Sequence, residues 1–195
     1  MPDTQLAGRM LVGGSGVNSG SFRTGDIDAD SWRRLEQAAA ELSALPVYFS
    51  DCANITMGTI RSQCKAMARR GRCGMVIIDY LQLLADGKAK DRYQAITGIS
   101  IALHELAQTT GILVVALAQL NRNSAQSLPT VADLKESGQI EQDADAILLL
   151  ANDVTTQNRP EKHYHCSLEK NKEGDLWTLP ITFDKEHQRF LEVIT

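Results

Sequence analysis

The stretch Met75-Val76-Ile77-Ile78-Asp79-Tyr80-Leu81-Gln82-Leu83 decides the fold of this 195-residue chain. It is an apolar run that ends in one acid, which is typical of a buried parallel strand leading to the edge of a sheet. Ligands bind beyond the carboxyl ends of such strands, so Asp79 is placed to hold a magnesium ion on a nucleotide. Taken alone, an Asp that ends a strand or caps the next element explains the segment equally well.

A second apolar run, residues 112–118, ends at Gln119, and a helix-length segment over residues 91–110 separates the two runs. This spacing predicts a βαβ crossover, which is almost always right-handed and places both strands in one parallel sheet. Asp79 and Gln119 are therefore expected at the same edge. The amide would contact a γ-phosphate or position water while the acid acts through the metal, although an ordinary loop glutamine is an equally good interpretation at this point.

Three motifs follow one another in the order found in DnaB-type replicative DNA helicases. They are Ile78–Leu83 (IDYLQL), Ala118–Arg122 (AQLNR) and Asp133–Asp145 (DLKESGQIEQDAD). The chain thus resembles the RecA-like motor domain of that family, and the third motif is the most specific because its residues follow no simple period. The resemblance implies an α/β fold over residues 1–195, with a RecA-like, mostly parallel sheet flanked by helices and a carboxyl-terminal antiparallel hairpin.

The phosphate-binding loop of that family is missing from the sequence. Such a loop ends in Gly-Lys-Ser/Thr, whose amides and lysine surround the β- and γ-phosphates. The glycine-rich stretch from Gly13 to Gly20 has no following lysine, so it is interpreted as an ordinary loop. The resemblance places the phosphate loop and the water-activating glutamate upstream of Met1. The chain is therefore expected to be a partial, amino-terminally truncated ATPase domain, and whether it is an enzyme by itself stays open.

The resemblance implies that the chain is part of an ATP-dependent replicative helicase that unwinds duplex DNA 5′ to 3′ as a homo-hexameric ring. ATP and Mg²⁺ are the implied cofactors, with Asp79 holding the metal through water and Gln119 contacting the nucleotide. Single-stranded DNA, neighbouring helicase subunits, a primase and a helicase loader are the implied partners. The alternative is a catalytically inactive modulator that binds DNA or inserts into helicase rings. A RecA-type recombinase ranks well behind, because the motif from Asp133 to Asp145 opposes it.

The family's nucleic-acid contacts correspond here to Arg122, Lys135, Glu136 and Gly138. Backbone amides and a lysine meet phosphate oxygens without discriminating between bases, so binding would be largely indifferent to sequence. Lys135 stands where the family usually has arginine. It keeps the positive charge but lacks the planar fork that makes a bidentate phosphate contact.

Lys170 and Lys172 match the basic residues with which a family member reaches into the ATP site of a neighbouring subunit. A cation supplied in this way stabilises charge on the transferring phosphoryl group, so both lysines are predicted to be catalytic in trans. The family usually has arginine at the position of Lys172, and a weaker contribution is expected from a lysine. Without the resemblance, the end of a hairpin would be the commoner interpretation of these residues.

Composition favours a soluble, folded, cytoplasmic protein without a membrane anchor. Apolar residues make up 43% of the chain, yet no segment approaches the roughly 18 uninterrupted apolar residues of a membrane span. The net charge of −4 argues against a protein that coats DNA over its whole surface. The cysteines show no paired spacing, which favours reduced thiols over a disulfide framework or a zinc site.

Periodicity and turn signals predict the remaining elements. Helices are expected over residues 4–11, 30–45 and 56–70, and strands over residues 47–50, 146–150, 164–170, 178–183 and 190–194.

Overall fold

The computed structural model describes residues 2–50, 55–84, 92–120, 129–134, 138–152 and 163–193. The helices within these ranges are α1 Asp3–Ser15, α2 Ser19–Thr24, α3 Ala29–Ala44, α4 Met57–Ala68, α5 Arg92–Thr110 and α6 Gly138–Asp143. The strands are β1 Met75–Ile78, β2 Leu113–Ala116, β3 Ala146–Asn152, β4 His163–Asn171, β5 Trp177–Asp184 and β6 Arg189–Glu192. Short 3-10 turns lie at Leu81–Leu83 and Val131–Asp133.

The chain divides into two compact units. Unit 1 consists of Met1–Cys52, Asn158–Tyr164 and Pro180–Thr195, and unit 2 consists of Ala53–Gln157 and His165–Leu179. Among the helices in the described ranges, none is long and apolar enough to cross a bilayer.

In unit 1, α1 packs against α3, with Val12, Leu35 and Ala38 buried. The helix runs from Asp3 to Ser15, so the prediction of a short helix followed by an irregular loop is wrong. Glycine is a poor helix former, but packing against a neighbouring helix overrides this weak propensity. The helix ends at Gly16, whose φ of 63° gives the left-handed conformation that glycine adopts without strain.

The carboxyl-terminal hairpin of unit 1 confirms the predicted one. Strands β5 and β6 pair in antiparallel fashion, with Phe183 opposite Phe190. Tyr164 meets both rings edge-on, at centroid distances of 6.5 and 5.9 Å. In the turn, a side-chain hydrogen bond with His187 is the main factor that holds the pKa of Asp184 below its ordinary value of 3.8.

In unit 2, β1 and β2 pair in parallel, from Met75 opposite Leu113 to Ile78 opposite Ala116. These are the two strands that the apolar runs predicted. Helix α5 connects them, and α4 and α5 contribute to the core cluster on which β1 and β2 pack. The buried members of this cluster are Ile60, Cys64, Ile78, Leu81, Ile99, Leu103, Leu106 and Ile112.

The sheet differs from the expectation in two respects. The described strands form two separate sheets, β1-β2 and β3-β4-β5-β6, so β2 and β3 are each hydrogen-bonded on one side only. The strand predicted over residues 47–50 is absent, and Val47 and Phe49 are exposed in an irregular segment. Apolar and β-branched residues favour a strand only where a neighbouring strand and a packing surface are available.

One face of the β1-β2 sheet is uncovered by the described residues. Side chains alternate along each strand, so Val76, Ile78 and Val114 lie on the core side. On the opposite face, Ile77 is 63% exposed and its partner in register, Val115, is 37% exposed. Parallel sheets are normally covered on both faces, and the apolar composition of these strands fits a sheet of that kind.

Replacing Thr56 with alanine should destabilise unit 2 by about 1 kcal/mol. Thr56 is the N-cap of α4, and its hydroxyl oxygen accepts a hydrogen bond from the Thr59 backbone N–H at 3.2 Å. Urea unfolding monitored by circular dichroism measures the loss. Thr56→Ser keeps the hydroxyl and is the matched control; equal destabilisation by both substitutions would contradict the capping role.

Candidate functional site

The structure places Asp79 and Gln119 at the same edge of the β1-β2 sheet, as the crossover predicted. Hydrogen bonding between the two chain segments continues past the strands: Leu117 N–H donates to the Ile78 carbonyl at 2.9 Å, and Leu81 N–H donates to the Leu117 carbonyl at 2.9 Å. The Gln119 backbone N–H then donates to Gln82 Oε1 at 3.3 Å. Both predicted residues therefore follow directly from strands that end side by side.

Asp79 sits on a firm base. The nearby residues Ile78 and Leu81 are 7% and 2% exposed and belong to the core cluster of unit 2. Asp79 itself is exposed, and the peptide that joins it to Tyr80 is cis. A carboxylate is thus presented to solvent beside residues that packing holds in place.

The residues present fit a magnesium ion in part. Mg²⁺ keeps several waters and is typically bound through one or two carboxylates together with substrate phosphates. The single exposed carboxylate of Asp79 meets that requirement. Within the described segments, no three His, Cys, Asp or Glu side chains come together as a self-sufficient metal site.

Lys170 and Lys172 meet at the carboxyl end of α6. The Lys170 ammonium donates to the backbone carbonyls of Glu141 and, at 3.4 Å, of Gln142. The Lys172 ammonium lies 2.7 Å from Asp145 Oδ1, and the Lys172 backbone N–H donates to the Asp145 carbonyl at 3.0 Å. Cations are stabilised at helix carboxyl ends, where unpaired carbonyls carry partial negative charge.

The hydrogen bond from Lys172 is the main factor that lowers the pKa of Asp145 from its ordinary value of 3.8. Lys170 and His104 add smaller electrostatic contributions in the same direction. Asp145 is therefore a carboxylate at neutral pH, and its charge is directed at the predicted trans-acting lysine.

Helix α6 is attached to α5 by a buried hydroxyl. Ser100, which is 7% exposed, donates to Asp143 Oδ2 at 2.7 Å, and the Gln139 side-chain amide donates to Asp143 Oδ1 at 2.8 Å. Ile140 packs against the core cluster. The third motif therefore contains residues that hold α6 in place as well as candidate DNA contacts.

Sequence reasoning missed Ser100, Asp143 and Asp145 as supporting residues. The two aspartates stood within the specific third motif, whose aperiodic pattern was a usable signal, but no pattern pointed to Ser100. Gly138 is the first residue of α6. The other predicted nucleic-acid contacts, Arg122, Lys135 and Glu136, lie outside the described residues, and their roles remain predictions.

Replacing Ser100 with alanine should lower the free energy of unfolding by about 1.5–3 kcal/mol, the usual range for a hydrogen bond to a charged group. Thr97→Val on the same helix is the matched control. The Thr97 hydroxyl is buried and has no hydrogen-bond partner among the residues that the structure describes. Its removal should be neutral or stabilising. Urea unfolding distinguishes the two variants, and equal effects would show that the Ser100–Asp143 contact contributes nothing.

The family model described as "DnaB-like helicase C terminal domain" matches residues 1–192. This chain belongs to the DnaB-like helicases. Replicative DNA helicase DnaB of Geobacillus stearothermophilus is 32% identical over 99% of this chain and 44% of that protein. Replicative DNA helicase DnaC of Bacillus subtilis (strain 168) is 33% identical over 97% of this chain and 43% of that protein. The chain thus spans less than half the length of these DnaB-like relatives.

Solved structures of DnaB-like proteins share the fold. One of them, an isolated ATPase domain, matches all of this chain and 72% of its own, with a TM-score of 0.89 and 31% identity. "The Structure Of A DnaB-Like Replicative Helicase And Its Interactions With Primase" matches all of this chain and 49% of its own, also with a TM-score of 0.89 and 31% identity. The predicted RecA-like α/β fold is confirmed.

Proposed function

We propose that this chain is the carboxyl-terminal part of the ATP-driven motor of a hexameric replicative DNA helicase, which unwinds duplex DNA 5′ to 3′. The observation that carries the proposal is the placement of Asp79 and Gln119 at one sheet edge within a chain that matches the DnaB-like family over residues 1–192. That edge is where α/β proteins bind ligands. The phosphate-binding loop that completes such a site is not in this sequence.

In the proposed motor, Asp79 would hold Mg²⁺ through water. The ion, when bound with ATP, neutralises negative charge on the phosphates and so favours phosphoryl transfer. Gln119 would detect the γ-phosphate or orient the attacking water through its side-chain amide. Because its backbone N–H bonds to Gln82, whose segment follows Asp79, the two proposed nucleotide contacts are joined by a direct hydrogen bond between their loops.

Lys170 and Lys172 would act on the nucleotide of a neighbouring subunit. This arrangement makes hydrolysis depend on the ring, because a cation from one protomer stabilises charge in the site of the next. Arg122, Lys135, Glu136 and Gly138 would contact single-stranded DNA in the centre of the ring. Their contacts would be mainly to phosphate, consistent with a helicase that must travel over any sequence.

The proposed partners are single-stranded DNA and copies of the same motor. A primase is proposed because one DnaB-like relative of known structure was solved to show its interactions with primase. A helicase loader and a cytoplasmic location complete the proposal.

A chimera tests the proposal directly. Residues 1–192 would replace the matched region of Geobacillus stearothermophilus DnaB, which supplies the phosphate loop and the remaining domains. We expect the chimera to form rings, to hydrolyse ATP faster with single-stranded DNA, and to unwind forked duplexes in the 5′ to 3′ direction. The unaltered Geobacillus protein is the control. A chimera that forms rings and binds ATP but neither hydrolyses it nor unwinds DNA would overturn the proposal.

The missing phosphate loop favours a second candidate, a modulator that inserts into helicase rings without hydrolysing ATP. Mixing the 195-residue chain with Geobacillus DnaB distinguishes this candidate. A modulator should alter unwinding in proportion to the amount added. If unwinding stays unchanged at excess chain, the modulator function fails.

A further inference from the structure

Helix α6 carries candidate functional groups at both of its ends. Its first residue is Gly138, a proposed DNA contact, and the carbonyls of Glu141 and Gln142 near its last residue receive the Lys170 ammonium. Asp145, two residues beyond the helix, receives Lys172. A helix of six residues is only about 9 Å long at 1.5 Å per residue. The two sets of groups are therefore close and joined by one element.

Helix α6 is held on α5 as one piece. The carboxylate of Asp143 is fixed by Ser100 on one oxygen and by Gln139 on the other, at 2.7 and 2.8 Å. Ile140 packs into the core cluster at the middle of the helix. A displacement of the amino end of α6 would thus move its carboxyl end as well, since packed elements shift as units.

The contact between Lys172 and Asp145 is suited to setting position more than stability. The two side chains are 45% and 75% exposed, and exposed ion pairs contribute little to folding. A lysine has a long, flexible stem, so its ammonium needs a partner to occupy a defined place. Asp145 provides that partner twice, through its carboxylate at 2.7 Å and its backbone carbonyl at 3.0 Å.

We propose that Asp145 is a positioning residue that ties Lys172 to α6, so that DNA contact at the amino end of α6 is transmitted to the lysine pair. The inference rests on the proposed function, because it takes the DNA surface and the role of the lysines from it. Two sites are coupled when both bias one physical element, and α6 with Asp145 is that element here. The linkage is reciprocal, so displacement of the lysines would also alter the affinity for DNA.

Hydrogen exchange of two backbone amides tests the linkage in the 195-residue chain itself. The Ala144 N–H, which donates to the Ile140 carbonyl at 3.0 Å, reports on α6. The Lys172 N–H, which donates to the Asp145 carbonyl, reports on the lysine segment. Oligothymidine is the DNA probe. We expect saturating oligothymidine to change the exchange rates of both amides by about fivefold.

Three variants decide the outcome. In Asp145→Asn the response of the Lys172 amide should fall below about twofold while Ala144 still responds, and Asp145→Glu should restore much of it because the charge returns. Asp175→Asn removes the same charge from an exposed position and should behave as the wild type. An undiminished Lys172 response in Asp145→Asn, or an Ala144 amide that ignores bound DNA, would overturn the inference while leaving the proposed function intact. Failure of the chain to bind oligothymidine would refute the proposed DNA surface, and the inference with it.

Discussion

Replacing Asp79 with alanine in the Geobacillus chimera should lower DNA-stimulated ATP hydrolysis by about a thousandfold. Metal-assisted charge stabilisation contributes several kcal/mol to a transition state, and each 1.36 kcal/mol changes the rate tenfold. Asp79 is the carboxylate that the fold delivers to the sheet edge from the core cluster beneath it. Steady-state hydrolysis with and without single-stranded DNA, over a range of Mg²⁺ concentrations, measures the loss.

Two controls separate a lost ligand from a lost fold. Asp79→Asn keeps the size of the side chain and removes the charge, so it should be nearly as inactive as the alanine variant. Asp175→Ala removes an exposed acid from the same unit and should leave hydrolysis close to that of the parent chimera. Turnover by Asp79→Ala within about threefold of the parent would rule out the metal-holding role.

Replacing Ile99 with alanine should lower the free energy of unfolding of the 195-residue chain by about 2–5 kcal/mol. Ile99 is 7% exposed and lies in the core cluster with Ile78 and Leu81. The substitution removes buried methyl groups and leaves a cavity that the surrounding side chains fill only partly. Urea denaturation measures the change from the midpoint and the slope of the transition.

Ile101→Ala is a matched control, because it makes the same chemical change two residues further along α5 at a side chain that is 43% exposed. It should cost less than about 1 kcal/mol. If the two variants lose equal stability, the cluster around Ile99 is not the core of unit 2. Because Ile78 and Leu81 lie on either side of Asp79 in the sequence, a destabilised cluster should also weaken hydrolysis in the chimera.

The local pattern predicted much of unit 2 correctly. The apolar runs that end at Asp79 and Gln119 became the parallel pair β1 and β2, and the segment between them contains α5. These predictions succeed because a parallel strand, its crossover and its neighbour follow steric rules that hold within about 40 residues of chain. The hairpin of β5 and β6 is local in the same sense.

Predictions failed where distant packing decides the conformation. The glycine-rich stretch after residue 12 continues α1 because that helix packs on α3. The residues around Val47 have the composition of a strand but stay irregular and exposed. Neither outcome is determined by the segment itself, because helix propensity is weak and strand propensity depends on the neighbouring surface.

By itself, the sequence determined the family resemblance, the two apolar strands and the edge at which Asp79 and Gln119 lie, since chain order and side-chain period are sufficient for those features. Only the tertiary structure decided how α6 is held and what the lysines contact. Ser100 is 43 residues from Asp143, and Lys172 is 27 residues from Asp145. Contacts between residues so far apart depend on how whole elements pack, and no local period of the sequence encodes them.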